Sequence, residues 1–167
     1  MSVHMDISGL KDLQRKLNNL RQNDIDEFCT ACAKELAARL LAKAIKRTPV
    51  RQYPRKSGKK GGTLRRGWTA KTHAEAQSGS GKSSEAAGRQ FAQSLEVQKS
   101  GEVFTVTIKN PVEYASYVEY GHRKRNGRGR VEGKHMLTIS EQEVREITPA
   151  LLERRLQRFL EEHLDNH

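Results

Sequence analysis

Residues 24–47 constrain the fold most. Phe28, Cys32, Leu36 and Leu40 recur at helical spacing, with Cys29, Ala33, Ala37, Leu41, Ala44 and Ile45 beside them. This is one wide apolar face, rich in alanine, and it requires a closely packed helix or sheet against it. Asp24 with Glu27 reads as a capping pair at its start. Pro49 disfavours helix at Thr48 and ends it there. Upstream, Leu10, Leu13, Leu17 and Leu20 form a second stripe that Ser8 can cap. Residues 1–48 are therefore expected to be helical.

The rest of the chain supplies less apolar material. Residues 49–63 hold two prolines, three glycines and five basic side chains and read as a basic loop. Residues 64–109 read as an antiparallel β-meander, with strands over Leu64–Ala74, Phe91–Lys99 and Glu102–Lys109. The Ser- and Gly-rich stretch 76–89 reads as a mobile loop within it. Tyr114, Tyr117 and Val118 have i, i+3, i+4 spacing, so a short helix over 112–121 closed by Gly121 is expected. A second basic loop spans 122–136. Ser140 and Glu143 form a capping box for a C-terminal helix over 140–164. In that helix Thr148-Pro149 marks either a kink or a fresh start. The fold class is α+β: a long N-terminal helix and a C-terminal helix packed on a small antiparallel sheet, with long basic loops, in one domain over 1–167.

Charge is unevenly placed. The chain has 35% apolar and 31% charged residues and a formal net charge of +11. Ten Lys or Arg and no acid lie between Lys46 and Lys71, including Arg51, Arg55, Lys56, Lys59, Lys60, Arg65 and Arg66. Arg123, Lys124, Arg125, Arg128 and Arg130 form a second cluster. Such segregation suits a DNA backbone or an acidic protein surface, although a solvated basic loop has the same composition.

Motifs of catalysis are weak. Ala76-Gln77-Ser78-Gly79-Ser80-Gly81-Lys82-Ser83 fits a relaxed phosphate loop, but Thr72-His73-Ala74-Glu75 is a poor feeding strand and no acid ends the best strand. Cys29 and Cys32 form a CxxC on an apolar helix face, where core packing is the plainer reading. His122 and His135 flank the second basic loop, yet no Asp lies between Asp26 and Asp165. No enzyme activity, metal or cofactor is expected. No apolar run approaches the ~20 residues that span a bilayer, so no membrane role is expected, and the chain reads as made in a reducing cytoplasm.

The order of these parts resembles a family of minor tail or neck proteins of tailed bacteriophages. The resemblance rests on the helix end at Thr48-Pro49, on Gly62-Thr63-Leu64-Arg65-Arg66-Gly67-Trp68, and on Tyr114-Ala115-Ser116-Tyr117-Val118-Glu119-Tyr120-Gly121. A longer basic loop replaces the family's short Pro-Val-Asp-x-Gly link, and Gly133-Lys134-His135-Met136-Leu137 stands where a Pro-Phe-Leu stretch is common. The resemblance implies a non-enzymatic virion protein of the neck or upper tail. It would form a homo-oligomeric ring of about six or twelve copies, joining head to tail around the DNA channel beside connector and tail proteins. Trp68, Tyr114, Tyr117, Val118, Glu119 and Tyr120 are the candidate subunit contacts. The two basic clusters are the candidate contacts to DNA or an acidic partner. The competing reading is a free-standing, non-specific nucleic-acid-binding protein.

Overall fold

A computed structural model describes residues 22–58, 60–79 and 81–164 of the chain. The stripe from Leu10 to Leu20 and its Ser8 cap lie outside the described residues.

Helix α1 spans Gln22–Arg47 and is the spine. It ends at the Thr48-Pro49 boundary, as the proline dictates. Its buried side chains are mostly alanine, with Leu41 and Ile45 fully enclosed; burying each of those two stabilises the fold by about 1.5–3 kcal/mol. Two other helices use this face. One is α4, Glu85–Gln93, which approaches so closely that a Cβ at Gly88 would lie 2.6 Å from Ile45 Cδ1. The other is α6, Met136–Leu164, which runs antiparallel to α1. Glu143 meets Lys43 and Arg47, and Phe28 meets Phe159 with ring centroids 4.6 Å apart.

The expected β-meander over 64–109 is corrected. Leu64–Ala74 is not a strand: Thr63–Arg66 forms the one-turn helix α2, and Gly67–Thr69 continues as a 3-10 turn. Nor do the described residues of stretch 76–89 form a single loop. The stretch holds the end of α3, His73–Ser78, and the start of α4. Thr72, Gly79 and Ser84 bound the helices there. The Thr72 hydroxyl accepts from the Glu75 N–H and the Ser84 hydroxyl from the Ala87 N–H, while Gly79 ends α3 in the left-handed conformation. These are N-cap and C-cap devices. Only a hairpin remains of the meander, with β1 at Val97–Ser100 and β2 at Val103–Val106, turning at Gly101.

Helix α5, Ala115–Tyr120, falls where tyrosine spacing places it and stops at Gly121, whose φ of 77° and close approach to the Val131 carbonyl exclude a side chain. The second basic loop is in fact a hairpin, β3 at Gly121–Arg123 and β4 at Arg130–Glu132. The Ser140–Glu143 capping box is also corrected. Helix α6 already begins at Met136, Ser140 is buried inside it with its hydroxyl donating to the Met136 carbonyl, and Glu143 binds Lys43 and Arg47. No fresh helix starts at Thr148. Its hydroxyl donates to the Val144 carbonyl at 2.7 Å, and Pro149 is accommodated within α6. Contacts to α1 on both sides of the proline, from Glu143 and from Phe159, hold the two halves as one helix.

The core is small: Ala37, Ala38, Leu41, Ala44, Ile45, Leu64, Trp68, Ala70, Ala76, Ala92, Val112 and Met136. The α+β class therefore stands, with the helices dominant and, among the described residues, the strands reduced to two hairpins.

Candidate functional site

The two basic segments and the tyrosines lie at one end of the α1–α6 pair, around α5. The first basic segment follows the C-terminus of α1, and the 121–132 hairpin immediately precedes α6. Between the first basic segment and α5 a cleft of about 460 Å³ is lined by Arg51, Tyr53 and Lys60 and by Tyr114 and Val118. The Arg51 guanidinium sits 5.1 Å from the Tyr53 ring centroid, a cation–π distance. Burial pushes the Tyr114 hydroxyl up from its ordinary value, reinforced by Tyr53 and partly offset by a hydrogen bond with Thr63.

Tyr114, Tyr117 and Tyr120 are 42%, 59% and 60% exposed. Tyr117 packs edge-on against His122 at 5.8 Å, and Tyr114 against His73 at 6.5 Å. Large aromatic rings left this open on one short helix and its N-cap form a surface suited to a partner. Val118 is half-buried and packs against the core.

Two of the expected subunit contacts are corrected. Trp68 is 3% exposed and belongs to the core of its own chain. Its indole N–H donates to the Thr48 hydroxyl at 2.7 Å. Glu119 is 6% exposed and faces inward. Its carboxylate accepts from the backbone N–H groups of Leu137 and Thr138, each at 2.9 Å, and from the Thr138 hydroxyl at 2.7 Å. Those are orphan donors of the first turn of α6. In the reverse direction, the N–H groups of Lys134 and His135 donate to the carbonyls of Val118 and Glu119 at the end of α5. One acid thus clasps two helices. Burial alone would push its carboxyl up. The two backbone N–H groups, the Thr138 hydroxyl and the charge of His135 outweigh burial and hold it below its usual value.

The basic candidates divide as sharply. Arg65 directs Nε and Nη2 onto the Thr48 carbonyl at 3.0 and 2.6 Å. Arg66 donates to the carbonyls of Ala76 and Gly61 at 2.9 and 3.0 Å and lies 3.4 Å from the Thr63 hydroxyl. Both are half-buried braces of their own chain, which corrects their expected role in gripping a polyanion. Arg51, Arg55, Lys56, Lys60, Arg123, Lys124, Arg125, Arg128 and Arg130 are exposed. Lys59 lies outside the described residues.

Sequence reading missed a second basic surface. Arg39, Lys43, Lys46 and Arg47 on α1 and Arg89 on α4 line a groove of about 360 Å³ with Glu85 and Glu143. The spacing 39, 43, 46, 47 placed them on one helix face, but their meeting with Arg89 and Glu143 depends on tertiary packing. Hydrogen bonds from Lys43 and then Arg47 hold the Glu143 carboxyl below its usual value.

The catalytic candidates do not assemble. The relaxed phosphate-loop pattern runs from α3 through a loop to the cap of α4, without a feeding strand. Cys29 and Cys32 are free thiols on α1, and burial pushes the Cys32 thiol up despite the nearby Arg155. Among the described residues no three His, Cys, Asp or Glu side chains are placed to hold a metal, and no helix is long and apolar enough to cross a membrane.

Residues 11–121, about two thirds of the chain, match the family model HK97-gp10-like, described as "Bacteriophage HK97-gp10, putative tail-component". That stretch includes Thr48, the Leu64–Trp68 segment and α5, and stops where the basic hairpin begins. No curated protein and no solved structure matches the chain.

Proposed function

This chain belongs to the HK97-gp10-like family of phage tail components, and we propose that it is a ring-forming neck or tail-completion subunit. In this reading it joins the head to the tail around the DNA channel and carries out no chemistry. As a phage tail component it is a structural protein of the virion that works against other tail proteins. The further step, to a ring at the neck, is carried by one observation: three tyrosines stand exposed on α5 and at its N-cap, where Tyr114 shares a cleft with Arg51 and Lys60.

Exposed rings flanked by cations make a good subunit contact. Aromatic side chains provide area at low entropic cost, and the surrounding charges set register and exclude wrong partners. A face of this kind also suits a heterologous contact, which closes into a ring where the rotation allows. Tyr114, Tyr117 and Tyr120 are the anchors in this account, with Val118 supporting them from below. Arg51, Arg55, Lys56 and Lys60 then grip either DNA in the channel or acidic surfaces of adjacent rings. The test is assembly: Tyr117→Ala should reduce the oligomer formed alone or with neighbouring tail proteins. An unchanged assembly state in that variant removes the tyrosine interface.

The concentration of cations at the same end also favours a second reading, a free-standing protein that binds nucleic acid without sequence preference. It requires a monomer that holds DNA and ignores the tail proteins. The position of the gene relative to capsid and tail genes separates the two readings cheaply.

A further inference from the structure

The 121–132 hairpin begins at the last matched residue of the family model, and its register gives it two unlike faces. Gly121 stands opposite Glu132, His122 opposite Val131, and Arg123 opposite Arg130. Directly opposed residues share a face, and successive residues alternate. His122 and Val131 therefore share the face on which Tyr117 packs. Arg123 and Arg130 share the other, with Glu132 two residues along from Arg130 on the same face.

Two arginines in direct register repel. Arg130 donates one N–H to the Tyr120 carbonyl at 3.0 Å. Among the described residues neither arginine has an ion-pair partner. The connecting turn is shaped rather than slack. The Gly127 N–H donates to the Lys124 carbonyl, the Lys124 N–H to the Gly129 carbonyl, and the Arg128 N–H to the Asn126 side chain. It presents Lys124, Arg125 and Arg128. Five cations and no acid thus fall within 123–130.

We propose that this hairpin is an arm that binds the phosphate backbone of duplex DNA, with Arg123 and Arg130 gripping phosphate between them. An anion between opposed guanidiniums turns their repulsion into attraction, and the planar fork of arginine matches phosphate oxygens two at a time. A two-stranded ribbon also fits the major groove of B-form DNA. The arginine face holds Glu132 beside the two arginines but no apolar side chain that would seat a protein partner, which favours phosphate over a protein surface. The contacts assigned to the arm run to phosphate rather than to base edges, so it holds DNA without reading its sequence. None of this depends on ring formation.

The test is anisotropy of a labelled duplex of about 25 base pairs, titrated with the full chain at several salt concentrations. Arg123→Gln with Arg130→Gln should flatten the plot of log affinity against log salt by about 2, near 0.9 for each lost contact. Adding Lys124→Gln, Arg125→Gln and Arg128→Gln should flatten it further, and two unrelated duplexes should bind the unaltered chain equally. Arg123→Lys with Arg130→Lys keeps the charge and should keep the slope while lowering affinity severalfold. That pair carries the test if the glutamine variants fail to fold. A wild-type slope in glutamine variants with unchanged circular dichroism would overturn the proposal, as would wild-type affinity in the lysine pair. Equally strong, hairpin-dependent binding of polyglutamate would assign the arm to acidic protein instead.

Discussion

The indole N–H of Trp68 donates to the hydroxyl of Thr48 across 2.7 Å, although the two residues lie 20 positions apart. The same hydroxyl donates to the Ala44 carbonyl at 2.6 Å, and the Thr48 carbonyl accepts from Arg65. Thr48 is wholly buried. It therefore ends α1, satisfies the indole and anchors the turn that follows.

Thr48→Val keeps the shape and removes the acceptor, leaving the indole donor buried without a partner. The expected loss is about 1–3 kcal/mol, read as a lower urea midpoint with unchanged slope. Thr48→Ser, which keeps the hydroxyl, should lose much less. Equal losses in the two variants would show that the hydrogen bond contributes little.

Glu119 makes stability depend on pH. Its carboxyl is held below the usual value by the N–H groups of Leu137 and Thr138, against the effect of burial. A depressed folded-state pKa contributes stability that is fully present above the unfolded value and is lost as pH falls through the folded value. The wild type should therefore lose stability on acidification below the ordinary glutamate range. Glu119→Gln should be less stable at neutral pH and lack that part of the acid slope. Parallel pH profiles would contradict the clasp.

Gly88 permits α4 to lie against α1. Gly88→Val would drive side-chain atoms into Ile45 and Leu41. It should destabilise by about 1–3 kcal/mol through overpacking, measured by thermal or urea unfolding. A stability equal to wild type would mean that the two helices can separate at no cost.

Arg65 and Arg66 act on folding rather than on DNA. Arg65→Gln and Arg66→Gln should lower the unfolding midpoint, because each removes donors from buried or half-buried carbonyls. The salt dependence of DNA binding should not change. A flattened salt slope with intact stability would return them to the DNA-binding surface.

The legible parts of this molecule were those set locally. The end of α1 follows from Pro49, α5 from its tyrosine spacing and Gly121, and the 97–106 hairpin from Ser100-Gly101 between β-rich residues. Stretch 64–93 misled because Thr72, Gly79 and Ser84 are residues of loops and of helix caps alike, and only the completed helices tell which. Trp68 and Glu119 suit a subunit contact by residue type, and the sequence does not show that their own chain covers them. Their partners, Thr48 and the first turn of α6, lie 20 and 18 or 19 positions away. The α1–α4–α6 groove stayed hidden for the same reason, with Lys43 and Glu143 a hundred positions apart.

The central claim is assembly through the tyrosine face, and sedimentation of the purified chain tests it most directly, alone and with the adjacent tail proteins. The account predicts a closed oligomer, formed alone or on addition of those partners, that Tyr117→Ala dissociates without changing circular dichroism. A wild-type chain that stays monomeric with every partner present, while still binding DNA, would contradict it and establish the free-standing nucleic-acid-binding reading.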